Sequence, residues 1–454
     1  MFSSTEVRSL LALSFLYATR MLGLFMVLPV FALYAEGYRG SSAILIGLAL
    51  GVYGLSQGLL QIPFGLISDR VGRKPVIAGG MLLFFAGSVL CAAADSLYVI
   101  IAGRALQGAG AVASVIMALL SDLTRDENRT RAMAAVGGSI GLSFAAAMVI
   151  GPLVATQWGL SGVFWLTSAL AALGLLVVLV AVPSPSVRHS GHEVIPVPAM
   201  LGKVLRDGQL WRLNAGIFTL HFVQMATWVA VPVLLEQRFG FAREQHWTLY
   251  LATMGGGFLL MVPFIWYGET RRKMKPVFLF AVAILATAEA LMAGAGEAFR
   301  QMVVGLLLFF VAFNLLEATL PSLVSKLAPA GIKGTALGVY STSQFFGTFC
   351  GGAMGGLMAH QFGLVAVFWV SLVLVLLWLA FATTMKAPRN LRSVAVALSL
   401  GQQINARQLI DEIAGVEDVV IIPGENLAYV KVDDEHFDET GFRRLLGRSA
   451  SGLR

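Results

Sequence analysis

Charge is scarce in this 454-residue chain: Asp, Glu, Lys and Arg make up 13% of it, where a soluble domain carries about 25%. That leaves too little polar surface to cover water-facing cores of this length, and it excludes a soluble or disordered protein. Cysteine is nearly absent. Cys91 and Cys350 each sit in an apolar stretch, which excludes a disulfide scaffold and reads as two buried small hydrophobes. No Cys/His cluster has metal-ligand spacing, so no metal is expected. A full phosphate loop is also missing, because Gly331-Ile332-Lys333-Gly334-Thr335 lacks the Gly-x-x-x-x-Gly-Lys-Ser/Thr spacing. No cofactor, no ATP-driven step and no enzyme activity are expected. Met1 to Arg8 is short and polar, with no small-residue cleavage site near Ala18, so no cleaved signal peptide is expected.

Apolar residues are what the chain has, at 57% and a mean hydropathy of +0.79. A membrane-crossing helix needs about 20 of them in a row. Such stretches fall at 10–34, 43–67, 76–94, 98–121, 131–154, 163–182, 212–235, 247–267, 277–295, 299–325, 333–358 and 363–384. The expected fold is an all-α membrane protein of two six-helix bundles, 1–182 and 212–385, with a small α+β tail. The linker between them, 183–211, holds Pro183, Pro185, Pro196 and Pro198 and an expected interfacial helix at Met200–Arg206. Of 23 Lys and Arg in residues 1–385, seventeen fall at the N-terminus or in the even-numbered loops. This bias places both termini in the cytoplasm. Pro63-Phe64 before Lys74-Pro75 and Pro263-Phe264 before Lys275-Pro276 repeat about 200 residues apart, which implies parallel halves meeting around an axis along the membrane normal. Gly47, Gly51, Gly54 and Gly58 form one helical stripe and Gly347, Gly351 and Gly355 another, suited to close helix approach.

Residues 391–454 change character. Ser393–Leu400, Val416–Pro423 and Asn426–Val432 read as strands, Asn405–Ile413 and Glu439–Arg448 as helices. The order β-α-β-β-α predicts a ferredoxin-like cytoplasmic domain. Its core is small enough to need support from a membrane loop, the linker or a second copy, with Arg125, Arg129 or Arg131 as docking points on the transporter.

An ionisable residue inside a span is costly and so a functional suspect. Arg20, Arg104, His221, Glu289 and Glu317 meet that description. Glu317 is the favoured proton carrier, with His221 a second candidate and Arg20 a neighbour able to hold its charge; Glu289 is expected to face a crevice at the outer side. Tyr53, Gln57 and Gln61 recur every four residues, Asn314 adjoins Glu317, and Gln224 and Trp228 share a face. With Gln344 they are the candidate lining of a substrate cavity. The run from Gly65 to Lys74 concentrates charge between the second and third spans. Asp69 is placed to face the amino end of another helix and Arg73 to reach Asp122, with Asp126 the alternative partner. Such a cluster can latch one conformation closed.

These residues resemble the major facilitator superfamily. Gly65, Asp69, Arg70, Gly72, Arg73 and Lys74 match its signature loop. Arg104, Gln107, Gly108 and Gly110 are similar to its fourth-span motif associated with proton coupling, and Gly137, Gly141, Gly151 and Pro152 to its fifth-span antiporter motif. The second-half loop, Glu269, Arg271, Arg272 and Lys273, departs from the signature. The resemblance implies a proton-driven, drug-efflux-like antiporter of a bacterial inner membrane, in which Asp69 meets the amino end of the eleventh span and Arg73 meets Asp122. Small-molecule substrate, protons and lipid are the expected partners, nucleic acid is not, and a monomer is expected to suffice. Two other functions fit the same residues: metabolite uptake, with Arg20 binding an anionic group, and a transporter-sensor whose tail binds a ligand.

Overall fold

In the computed structural model the described residues are 3–183, 201–328, 333–386, 391–397, 413–421, 427–433, 437–438 and 441–442. The first half contains α1 (Ser4–Phe25), α2 (Phe31–Tyr34), α3 (Ala43–Val71), α4 (Arg73–Ala92), α5 (Leu97–Ala109), α6 (Ala113–Asp122) and α7 (Asp126–Val180). After the short α8 (Leu201–Arg206), the second half contains α9 (Gly208–Gln237), α10 (His246–Thr270), α11 (Met274–Ala293), α12 (Phe299–Leu327), α13 (Lys333–Phe362) and α14 (Leu364–Thr383). Ten described helical segments are long and apolar enough to cross a membrane. One of them, Arg131–Val180, is 50 residues long and holds two expected spans, turned at Gly159 where φ is 65° and ψ is −168°. The glycine-rich α13 adds a segment of 30 residues.

Three expected helices are interrupted or bounded differently, each for a local reason. The first span ends at Phe25 and resumes at Phe31, because Pro29 has no amide hydrogen to continue the ladder. The fourth is split into α5 and α6 at Gly110, whose carbonyl turns aside to accept from Arg20 Nη2 at 3.1 Å. In α7 the helix continues through Pro152 and departs from helical geometry at Gly159, so the turn lies at the glycine rather than at the Gly151-Pro152 pair. The expected interfacial helix is α8, and the linker closes at Asp207, whose side chain caps α9 through the amides of Gln209 and Leu210.

The end of the molecule carrying Asp69–Lys74 and Arg271–Lys275 is called the basic end. Away from it, the halves interlock through backbone contact. A Cβ added to Gly47 would strike the Gly352 carbonyl and the Gly356 backbone, and one on Gly51 would strike Phe349. The Gly347, Gly351 and Gly355 stripe faces the other way, against Phe218, Phe222 and Ala226 of α9. Thus α13 is held between α3 and α9 by two separate small-residue faces. Helices in lipid associate through this kind of dense packing because apolar burial alone gives no preference for protein over lipid.

Each half also closes its own last helix. Lys74 donates to the carbonyls of Leu179 and Val182 at the end of α7, and Arg8 to those of Val180 and Ala181. About 200 residues on, Lys275 donates to the Thr383 carbonyl and Arg212 to Thr384 Oγ1 at the end of α14. Cations there satisfy orphan carbonyls and oppose the negative end of the helix dipole.

The tail has three described strands, β1 (Leu391–Ala397), β2 (Val416–Ile421) and β3 (Leu427–Asp433), in the order β1-β3-β2. Both pairings are antiparallel, so β1 and β2 run parallel on either side of β3. Val416, Val419, Val430, Val432 and Phe442 bury a small core. β1 begins two residues earlier than expected, β2 begins at Val416 as expected and β3 ends one residue later, while 398–400, 422–423 and 426 lie outside the described residues. The expected helix at Asn405–Ile413 lies outside the described residues except for Ile413, and that at Glu439–Arg448 except for Gly441 and Phe442.

Candidate functional site

The polar residues of the spans gather in two clusters. In the first half, α1 places Arg20 against α3. Its Nη2 donates to Tyr53 Oη at 3.1 Å and Gln57 Oε1 at 2.9 Å. Arg104, on α5, lies over the Tyr53 ring at 5.0 Å and donates to Gln107 Oε1 at 2.9 Å. Both guanidinium groups are completely buried, and their described partners are neutral. Tyr53, Gln57 and Gln61 do share one face of α3, but Tyr53 and Gln57 are engaged by the arginines and buried with them. Arg20 therefore sits with Tyr53 and Gln57, and not beside Glu317 as the sequence suggested.

The second cluster brings together α9, α12 and α13. His221 Nε2 lies 3.4 Å from Glu317 Oε1 and 2.8 Å from Gln344 Nε2. His221 Nδ1 lies 3.3 Å from the Ile217 carbonyl, which can only accept, so the imidazole proton is assigned to Nδ1. Nε2 then accepts from the Gln344 amide, and the Glu317 contact beside it lacks hydrogen-bond geometry. The Glu317 side chain keeps 33% exposure, although the Oε1 facing His221 is buried. Asn314 is nearly buried one turn away with its Nδ2 unpartnered.

An aromatic bridge roofs this cluster. Phe25 meets Phe144 edge-on at 4.9 Å, Phe144 meets Phe313 at 5.9 Å, and Phe313 meets both His221 and Phe309 at 5.9 Å. The bridge joins α1 and α7 of one half to α12 of the other. Glu317 lies one turn from Phe313 toward the basic end, so the acid and its partners sit on the basic side of the aromatics. Sequence reasoning missed these rings, although Phe309, Phe313 and Glu317 are four apart and share one helical face. Gln224 and Trp228 are buried in the second half, Trp228 edge-on to Tyr250 at 5.4 Å. Trp228 thus packs in a core and does not line the space beside Glu317. Glu289 is also fully buried, beside Thr227, instead of facing an outer crevice.

At the basic end, Gly72 has φ 111°, a conformation that favours glycine, and it turns the chain from α3 directly into α4. Arg73 starts α4 and is nearly buried. It pairs with Asp69 at 2.5 Å and with Asp122, the last residue of α6, at 3.2 Å, while Nη1 also donates to Ser68 Oγ at 2.6 Å. Residues 329–332, before α13, and the Asp126 side chain lie outside the described residues. A Cβ added at Gly65 would meet only Ser114 Oγ, at an ordinary contact distance of 3.9 Å. Arg70 ends α3 exposed, and Lys74 caps α7 as described above. Of the fifth-span residues, Gly137 is open, Gly141 faces Phe258 of the second half, and Gly151 abuts the Met26 backbone.

Three contacts were not anticipated. Glu6 accepts from the Arg125 amide at 2.9 Å and from its Nη2 at 3.0 Å, tying α1 to the start of α7. At the other end Arg243 stacks over Tyr34 at 5.2 Å and pairs with Glu236 at 2.6 Å, joining the halves. Lys431 of β3 donates to the Lys326 carbonyl at 2.8 Å. That contact joins the tail to the end of α12, while Arg125 is paired with Glu6 and the Arg129 side chain lies outside the described residues. Among the described residues no cluster of His, Cys, Asp and Glu has the arrangement to hold a metal ion.

The family model of the Major Facilitator Superfamily matches residues 13–351. The chain is 47% identical to the inner membrane transport protein YajR of Escherichia coli (strain K12), covering 95% of each. It is 28% identical to the multidrug resistance protein MdtH of Aeromonas salmonicida (strain A449), over 74% of this chain and 83% of the relative. Among solved structures it resembles a bacterial homolog of the human lysosomal transporter Spinster, with TM-score 0.71 and 15% identity, covering 85% of this chain and 98% of that one.

Proposed function

Since the chain belongs to the major facilitator superfamily and is a multi-pass membrane transporter, we propose that it is a proton-driven exporter of small amphipathic or drug-like compounds, working by alternating access. The carrying observation is the approach of Glu317 to His221. With Nδ1–H committed to Ile217 and Nε2 accepting from Gln344, the imidazole has no proton to offer an ionised Glu317. A proton on Glu317, or on Nε2 with Gln344 displaced, would make the contact attractive. Loading and releasing that proton therefore changes how tightly α9 and α12 are held together beside the aromatic bridge, which is the change a coupled cycle requires. The multidrug relatives support a drug-like cargo. Apolar rings beside a single acid suit a compound with an apolar body and a polar handle.

The excess of basic residues at one end supports a cytoplasmic location for that end and for both termini, in a bacterial inner membrane. On that orientation the α3–α13 interlock closes the outer side. Arg73 with Asp69 and Asp122 is then the cytoplasmic latch, free to exchange Asp69 to the amino end of α13 when the halves rock. Arg104, Gln107, Gly108 and Gly110 would support the coupling from the first half. The β1-β3-β2 order supports a ferredoxin-like module in the tail.

The test is proton flux in liposomes under an imposed pH gradient, read by an internal pH dye, with cationic, neutral and anionic amphiphiles added in turn. A compound-dependent flux that disappears in Glu317→Gln is the expected result. Flux of wild-type size in that variant, with verified insertion, would remove Glu317 from the mechanism.

A further inference from the structure

A groove of about 690 Å³ runs down the outside of the first half between α1 and the end of α7. Its floor is apolar. Val7, Leu11 and Phe15 follow one another at intervals of four along α1, each at least 41% exposed, with Val177 opposite. Eight residues of helix give this strip a length of about 12 Å. Its mouth, at the basic end, is formed by Ser4 and Arg8, and among the described residues no carboxylate lines it.

The mouth is electropositive. Arg8 uses Nε and Nη2 on the carbonyls of Ala181 and Val180, at 3.1 and 3.3 Å. Lys74 occupies the neighbouring carbonyls of Leu179 and Val182, at 3.1 and 2.9 Å. Two full positive charges thus meet a helix end that offers about half a negative charge. Arg8 is exposed, and among the described residues it retains Nη1 beyond these bonds. An apolar strip a few turns long, opening beside an excess of positive charge, matches a ligand with a hydrocarbon chain and an anionic head.

We propose that this groove binds one anionic phospholipid, with its phosphate at Arg8 and Ser4 and one acyl chain along Val7, Leu11 and Phe15. In the matching corner of the second half the Arg212 guanidinium lies over the Phe381 ring at 5.2 Å, and its Nε and Nη1 donate to Thr384 and Gly208.

The experiment is native mass spectrometry of the full chain in detergent, titrated with phosphatidylglycerol or with phosphatidylcholine of the same acyl chains. One phosphatidylglycerol should be retained per protein in preference to phosphatidylcholine. Arg8→Gln should weaken that retention about fivefold, the roughly 1 kcal/mol that one basic residue contributes toward anionic lipid. Ser4→Asp should do so too, while leaving every described cap on α7 in place; this variant decides the matter if Arg8→Gln fails to fold. Equal retention of the two lipids, no retention, or phosphatidylglycerol binding unchanged in Ser4→Asp would overturn the assignment. The last result would place the lipid at another basic site, and no retention would fit a groove covered by the chain itself.

Discussion

Glu6 shows how one side chain can organise an end of the molecule. It is nearly buried, and besides Arg125 it accepts from the Ser3 amide at 2.7 Å, closing the capping box of α1. Glu6→Gln keeps the shape but removes the charge that strengthens these bonds. A loss of about 2 kcal/mol is expected, read as a lower midpoint of thermal unfolding in detergent; an unchanged midpoint would mean that Arg125 finds other partners. This contact was illegible in the sequence because its partners are 119 residues apart and each reads alone as a solvated charge near a helix end. Arg73 with Asp122 was legible, since a short charged turn between two spans leaves an arginine few acids to reach. Arg20 and Glu317 were recognised as costly residues in lipid. Which neighbours they took was decided by helix rotation, and spacing along one chain does not report the rotation of another.

Among the elements, α13 carries the contact between the halves. Gly47→Val on α3 would push side-chain atoms into the backbone at Gly352 and Gly356. Overpacking of this kind costs about 1–3 kcal/mol. It should open the interlock, seen as longer distances between spin labels placed on α3 and α13 at the end away from the basic loops. Unaltered distances would show that other contacts hold that end closed. The spans themselves were readable from hydropathy, and so were the glycine stripes. Their partners were not: the Gly347–Gly355 stripe faces α9, and the face meeting α3 is formed by Phe345, Phe349, Gly352 and Gly356. The division of the fourth span at Gly110 also escaped the sequence. Hydropathy does not fall there, and the break depends on Arg20 arriving from α1 to take the freed carbonyl.

For the molecule as a whole, the tail is tied to the transporter by a charge on a helix end. Lys431 is 5% exposed, and its ammonium caps the carbonyl of Lys326 just before the segment that leads into α13. Lys431→Met removes the cap, worth about 1 kcal/mol for a cation at a helix C-terminus. Amide exchange at the end of α12 should then quicken about fivefold; exchange at the wild-type rate would mean the tail docks through other residues. The strands of the tail were anticipated from alternation, whereas its docking point was not, because Lys431 reads as an ordinary strand lysine.

The paired caps on α7 and α14 bear on how the protein is made. In each half, the last helix to leave the ribosome finds its closing cations already in place, on the first and third spans of the same half. Nothing in that closure waits for the other half, so assembly can proceed as two consecutive, self-finishing steps. Cells given residues 1–183 and 201–454 as separate polypeptides should therefore yield a complex that co-purifies through a tag on either piece. A first half recovered only as aggregate would mean that it needs the second as a template. If the pieces do associate, the linker serves to keep the two products of translation in equal number and at high local concentration, and the caps inside each half do the folding.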